Sequence, residues 1–286
     1  LSRNKDRLGG GGPPSQEMPV AATNTNTDSG EGFSFVIPTD MVDLPSKGKF
    51  YPSEHPLHNC DTIELKQMTA KEEDLLTSRT LLKKGVVLDR LLQSLIVDKR
   101  IKPEHLLVGD RNAIVIAIRI AGYGSEYTTS ITCPACSQKQ KKTFNLFNFD
   151  IHHGDEANEV VTDNADGTFS TVLPKTGLTV NFRLLTGKDE KFLTSGVKQD
   201  RQRNSHEQNV TRQLRSMLIS VNGNSTAQAL NYLIDNIPSL DSRHLRLAYK
   251  TAAPNVELKD NFICEACDHE QEMEVPLTAD FFWPDR

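Results

Sequence analysis

Two Cys-x-x-Cys pairs are the residues of this chain best suited to chemistry: Cys133/Cys136 in ITCPACSQKQKKTFNL and Cys264/Cys267 in FICEACDHEQEMEVPL. Thiolates are soft, anionic donors, and four of them complete a tetrahedral shell around one zinc ion at about 2.3 Å. Each pair stands between strand-like stretches, as in a zinc knuckle at a hairpin tip. Four sulfurs leave no coordination position for water, so the chemistry expected is structural and not hydrolytic. A shared ion contributes directly to folding, by roughly 10 kcal/mol or more in small zinc peptides. It would clamp a long excursion of the chain at its base.

Three other chemistries use the same residue types and stay open on sequence alone. A redox dithiol needs its first thiol at a helix N-terminus; here a polar, strand-like segment follows each pair. A disulfide within each pair closes a tiny, strained ring and needs an oxidising compartment. An iron–sulfur cluster would also take four cysteines.

The remaining candidates are weaker. His55, His58 and Cys60 crowd into HPLHNC, which reads as a surface loop around Pro56. His152 and His153 sit beside Gly154 and Asp155, and His206-Glu207 lacks the second histidine of a zinc-protease helix. There is no phosphate-binding glycine loop and no nucleophile elbow. No catalytic or cofactor-binding residue is assigned, and the chain is not expected to be an enzyme.

Charge bounds the partners. The 286 residues carry a formal net charge of -5 and a pI near 5.9, which argues against overall attraction to nucleic acid or anionic lipid. Lys139, Lys141 and Lys142 form a basic patch beside the first knuckle. Glu265, Asp268, Glu270, Glu272 and Glu274 make the second acidic, so the two suit each other. A zinc-ribbon nucleic-acid-binding protein is the alternative kept. The longest apolar run, residues 113–118, is far short of a membrane span. No secretory signal opens the sequence, and a reducing compartment is expected.

The elements that must position the cysteines follow from periodicity. DTIELK (61–66) alternates as a strand. MTAKEEDLL then starts a helix over about 70–79, with Thr69 and Glu72 forming a capping box. Gly85 breaks the pattern, and Val87, Leu88, Leu91, Leu92, Leu95 and Ile96 mark a second amphipathic helix. Asp110 is expected to cap a helix carrying Ile114, Ile118 and Ala121, stopped by Gly122 and Gly124; a buried strand over 113–120 is the competing reading. Arg119 is expected at a helix edge with a snorkelling stem. Strands 168–173 and 178–185 flank the PKTG turn. Helices follow over about 188–220, broken near Gly196, then 225–236 capped by Ser225 or Thr226, and 241–252 ended by Pro254. The aromatic cluster Phe281-Phe282-Trp283 suits either the chain's own core or a partner subunit.

Several ordered blocks resemble the T4-type phage baseplate protein family, the central hub or hub-assembly component of contractile-tailed phages. They are LPSKGKFYP, QMTAKEEDLLTSRTLLKKGVVLDRLL, LLVGDRNAIVIAIRIAGYGSEYTTSITCPAC, CEAC and LTADFFWPD, spread from about residue 34 to the end. The resemblance implies a virion or assembly protein with no catalytic residues, and Cys133, Cys136, Cys264 and Cys267 as zinc ligands. Its partners would be other baseplate and tail proteins, with homo-oligomerisation allowed, no membrane and no nucleic acid. It would reside in the virion tail baseplate, and in the host cytoplasm during assembly.

The fold class expected is α+β: helices with small antiparallel sheets, and a four-cysteine zinc ribbon formed by two distant knuckle hairpins. The organisation expected is a flexible N-terminal arm (1–32), a helical body with the first knuckle (33–150), an inserted β-hairpin with helices (151–255), and the second knuckle with the aromatic tail (256–286).

Overall fold

A computed structural model describes residues 36–154, 160–203, 205–275 and 279–282. The N-terminal arm and Trp283 lie outside them. Among the described residues the fold is α+β, with eight α-helices and small antiparallel sheets. Strand β1 (Thr39–Asp43) pairs with β2 (Thr62–Lys66). Three helices follow: α1 (Ala70–Thr77), α2 (Arg79–Lys84) and α3 (Val87–Leu95). Glu72 forms the expected box, accepting from the Thr69 amide at 3.1 Å and its hydroxyl at 2.5 Å. Gly85 ends α2 at φ +68°, a left-handed value that glycine adopts without steric cost. The apolar stripe of α3 buries Val87, Leu91, Leu92 and Leu95.

The central element is α4 (Val108–Tyr123). Its interior is buried almost all round, including Ile114, Val115, Ile116 and Ile118, which is why its sequence reads as either helix or buried strand. It is a helix. Gly124, at φ +80°, ends it, while Gly122 lies inside it. Asp110 is not its N-cap; Leu107 holds that position. Asp110 is instead fully buried. It accepts from the Ser46 amide at 2.9 Å, the Ser46 hydroxyl at 2.6 Å and the Tyr51 hydroxyl at 2.8 Å. The LPSKGKFYP segment is thus folded over one carboxylate of α4.

After α4 come β3 (Glu126–Thr132) and β4 (Lys139–Asn145), the first hairpin, and then β5 (Phe149–His152). A four-stranded sheet is ordered β6-β7-β8-β9, from β6 (Thr162–Asp163), β7 (Thr168–Val172), β8 (Thr179–Arg183) and β9 (Leu218–Val221). Phe50 packs on Phe169 at 5.3 Å, and Phe169 on Phe182 at 5.7 Å, so LPSKGKFYP also enters this sheet's core.

Helix α5 (Gly187–Gln202) runs straight through Gly196. The expected break lies further on, before α6 (Asn209–Met217), and residues 218–221 are the strand β9 rather than helix. Gly196 is there because Arg212 lies against it; the guanidinium of Arg212 pairs with Asp200 at 2.9 Å. Helix α7 (Ala227–Asn236) is capped by Thr226, whose hydroxyl accepts from the Ala229 amide at 3.3 Å. Helix α8 (Ser239–Ala252) follows, and its buried Asp241 accepts from the amides of Lys175 and Thr176 in the PKTG turn.

Strand β10 (Asn255–Ile263) then does two jobs. Asn255–Leu258 pairs with β5, and Lys259–Ile263 pairs with β11 (Glu270–Glu274). Since β5 closely follows β4, this ladder brings the two knuckles together by backbone pairing. A short 3-10 turn, Ala279–Phe282, brings Phe281 and Phe282 into the core.

Candidate metal centre

The two hairpin tips are built alike. The Cys133 amide donates to the Gln138 carbonyl at 2.8 Å, and the Ser137 amide donates to the Cys133 carbonyl at 2.9 Å. In the second, Cys264 pairs with His269 at 2.9 Å and Asp268 with Cys264 at 3.0 Å. The fifth residue of each turn takes positive φ, Ser137 at 61° and Asp268 at 53°. Polar residues with short side chains tolerate that conformation better than branched ones. The tight turn aims both sulfurs of a pair to one side.

The tips meet sulfur to sulfur. Cys133 Sγ lies 3.8 Å from Cys267 Sγ, and Cys136 Sγ lies 3.6 Å from Cys264 Sγ. All four sulfurs fall within 4.8 Å of one another. These separations exceed a disulfide bond by well over an ångström, and all the cysteines are free thiols. A tetrahedron with zinc–sulfur bonds of about 2.3 Å has edges of about 3.8 Å, so the donor set fits such an ion in both chemistry and spacing. Cys133 and Cys264 are buried, while Cys136 and Cys267 form the exposed side.

Crowding four thiols pulls their acidities apart. Cys133 is lowered to about 6, first by the backbone amide of Cys136 and then by that of Ala135, against the opposing effect of burial. Cys267 is pushed up to about 12: the His269 amide favours its thiolate, but the neighbouring sulfurs and burial outweigh it. Neighbouring thiolates repel, and a bound cation would remove that conflict.

The rest of the junction is polar. The side-chain amide of Gln140 donates to the Ile263 carbonyl at 2.9 Å and accepts from the Glu265 amide at 3.0 Å. Lys142 pairs with Asp260 at 3.1 Å, donates to the Asn261 carbonyl, and lies over the Phe144 ring. One of the three patch lysines is therefore bound to the second hairpin. Gln140 carries no sequence signal beyond its even-numbered place on β4.

Arg119 braces the hairpin base. It is fully buried and, among the described residues, meets no carboxylate: Nε donates to the Phe281 carbonyl at 2.5 Å, Nη1 to the Gly124 carbonyl at 2.7 Å and Nη2 to the Glu126 carbonyl at 3.0 Å. The expected helix-edge, snorkelling position is not found. The C-terminal carbonyls of α4 and the first residue of β3 supply the negative potential instead.

The other histidines stay apart from this centre. His58 bonds the Tyr51 carbonyl at 2.7 Å and His55 stacks on the Tyr51 ring. His152 meets Ala253 and His153 meets Pro45, each through a backbone carbonyl. His206 is exposed. Among the described residues, the four cysteines are the one cluster with metal-ligand geometry, and no helix is long and apolar enough to cross a membrane.

Neither the curated proteins nor the solved structures contain a match to this sequence. The model of one family, described as T4 bacteriophage base plate protein, matches residues 37–283. That span holds both knuckles, the buried α4 and the strands that join them, and the chain belongs to this family.

Proposed function

We propose that the chain is a structural or assembly component of the phage tail baseplate, at or next to the hub, and that its four cysteines hold one structural zinc ion. The single observation that carries the role is the family match over most of the chain. The zinc is supported by the donor set: four thiols, at tetrahedral spacing, on two turns of the same design. Zinc would supply charge neutralisation and a cross-link between hairpins, with no open position for a substrate.

In this reading the chain acts through contacts with other baseplate and tail proteins, in the virion tail and in the host cytoplasm while tails assemble. Its role is mechanical, not catalytic. Residues 151–255 form an inserted unit held at its base by the β5–β10 ladder and the metal. Residues 1–32 serve as an arm available to neighbours.

A quantitative mass-spectrometric inventory of purified tails, from wild-type phage and from phage lacking this chain, tests the role. The chain is expected in the baseplate at fixed stoichiometry, or its loss is expected to halt assembly at the hub. Complete, infectious tails formed without it would remove the proposal.

A further inference from the structure

An apolar groove of about 330 Å³ runs between β1 and the β5–β10 sheet, floored by α4. Side chains of a strand alternate between its two faces. All four residues from Asp40 to Asp43 border the groove, so β1 meets it along its edge; β5 presents only one face, through Phe149 and Ile151. Among the described residues β1 pairs with β2 alone, so the outer edge of its backbone has no ladder partner.

Such an edge is a template for another strand unless it is covered or guarded by charge. Here the rim is apolar as well as open. Met41 is 64% exposed on one side of the groove and Phe147 is 62% exposed on the other. The charges on β1 select among occupants. Asp40 and Asp43 are both acidic and exposed, on opposite faces of β1; among the described residues neither has a cationic partner in an ion pair, and Lys66 is the single basic residue bordering the groove. A second copy of β1 would bring like charges together. A segment bearing lysine or arginine would complement them.

We propose that this groove receives an extended segment of another baseplate protein, apolar on one face and basic on the other, which adds to the free edge of β1 as a third strand of its sheet. Main-chain hydrogen bonds would supply affinity, and the apolar floor and Asp43, which shares the outward face of β1 with Met41, would supply specificity. The inference rests on the baseplate reading for the source of the donor, and on the geometry alone for the mode of docking.

The test uses the full chain and a short fluorescein-labelled peptide of alternating valine and lysine, followed by fluorescence anisotropy. Saturable binding is expected, at least about tenfold weaker when glutamate replaces lysine, and lost when alternate amides along one edge are N-methylated. The exposed Asp43→Lys should invert the charge preference, with an unchanged thermal melt showing that the fold is intact. Several results would overturn the proposal: no binding of the lysine peptide, equal binding of both charge forms, or binding that survives N-methylation. So would sedimentation showing a dimer that the lysine peptide dissociates, which would name a second copy as the occupant. Failure of the peptide with the chain still present in tails removes the groove alone; absence from tails removes the baseplate role.

Discussion

Arg119 and Phe281 are 162 residues apart, and the guanidinium Nε of the first donates to the backbone carbonyl of the second at 2.5 Å. With Gly124 and Glu126 also accepting, one planar fork ties the end of α4, the start of β3 and the C-terminal turn together. A lysine ammonium cannot reproduce that fork. Arg119→Lys is expected to cost about 2 kcal/mol, and Arg119→Met about 3 kcal/mol or more, because buried carbonyls are left unpaired. Urea unfolding measures both. Hydrogen exchange should show the loosening first at residues 279–282; a uniform loss of protection would mean that Arg119 acts on the whole core instead.

Removal of the metal should act locally. The β5–β10 ladder holds the hairpins side by side without any ion, whereas the two tips are joined by the sulfurs and by the Gln140 side chain, which bonds the Ile263 carbonyl and the Glu265 amide. We expect about one zinc per purified chain, lost in Cys136→Ser and Cys267→Ser. Exchange should then rise across residues 133–138 and 264–269 while Asn255–Leu258 stays protected. Elemental analysis that finds no zinc in the wild-type chain would falsify the zinc assignment.

Two glycines separate close approach from backbone conformation. A Cβ on Gly109 would fall on the backbone carbonyl of Pro254, where the chain enters β10. Gly109→Ala must push α4 away from that strand, for about 3 kcal/mol. Gly177 has φ +69° but open space around it, so Gly177→Ala carries only the left-handed penalty of about 1–2 kcal/mol. Thermal melts of the two variants should differ in this order; equal losses would show that α4 and the Pro254 segment are not in rigid contact.

Local signals were readable where one rule dominated. The capping box at Thr69 and Glu72, the stripe of α3, the PKTG hairpin and the strand flanks of both knuckles are each set by neighbours within a few residues. The cysteine cluster was readable because thiol pairs at that spacing have few other uses. What escaped was long-range. Asp110 looks like a helix cap because aspartate commonly is one; its partners lie in a segment 59 and 64 residues away. Gly196 looks like a helix breaker, but glycine is also what permits a crossing side chain, here Arg212. Arg119 looks amphipathic because nothing nearby in sequence announces three converging carbonyls.

Asp110, fully buried, and Asp189, partly buried, should respond to pH with opposite sign. Burial raises the carboxyl of Asp110 above its usual range, and the hydrogen bonds from Ser46 and Tyr51 only partly offset this. A folded-state pKa above the unfolded one means that the folded state binds the proton more tightly. Wild type should therefore gain stability relative to Asp110→Asn as pH falls from above the raised value to below about 3.9, the ordinary aspartate pKa. Asp189 is also opposed by burial, but the guanidinium of Arg183, bonding both its oxygens at 2.8 Å, and the Thr186 amide and hydroxyl hold its carboxyl below the usual range. Its stabilisation is present above about 3.9 and is lost as pH falls through the lowered folded value, so wild type should lose ground to Asp189→Asn there. Denaturant titrations of the three proteins between neutral and acid pH read both slopes. The same sign for both variants would mean that one carboxylate is not in the environment described.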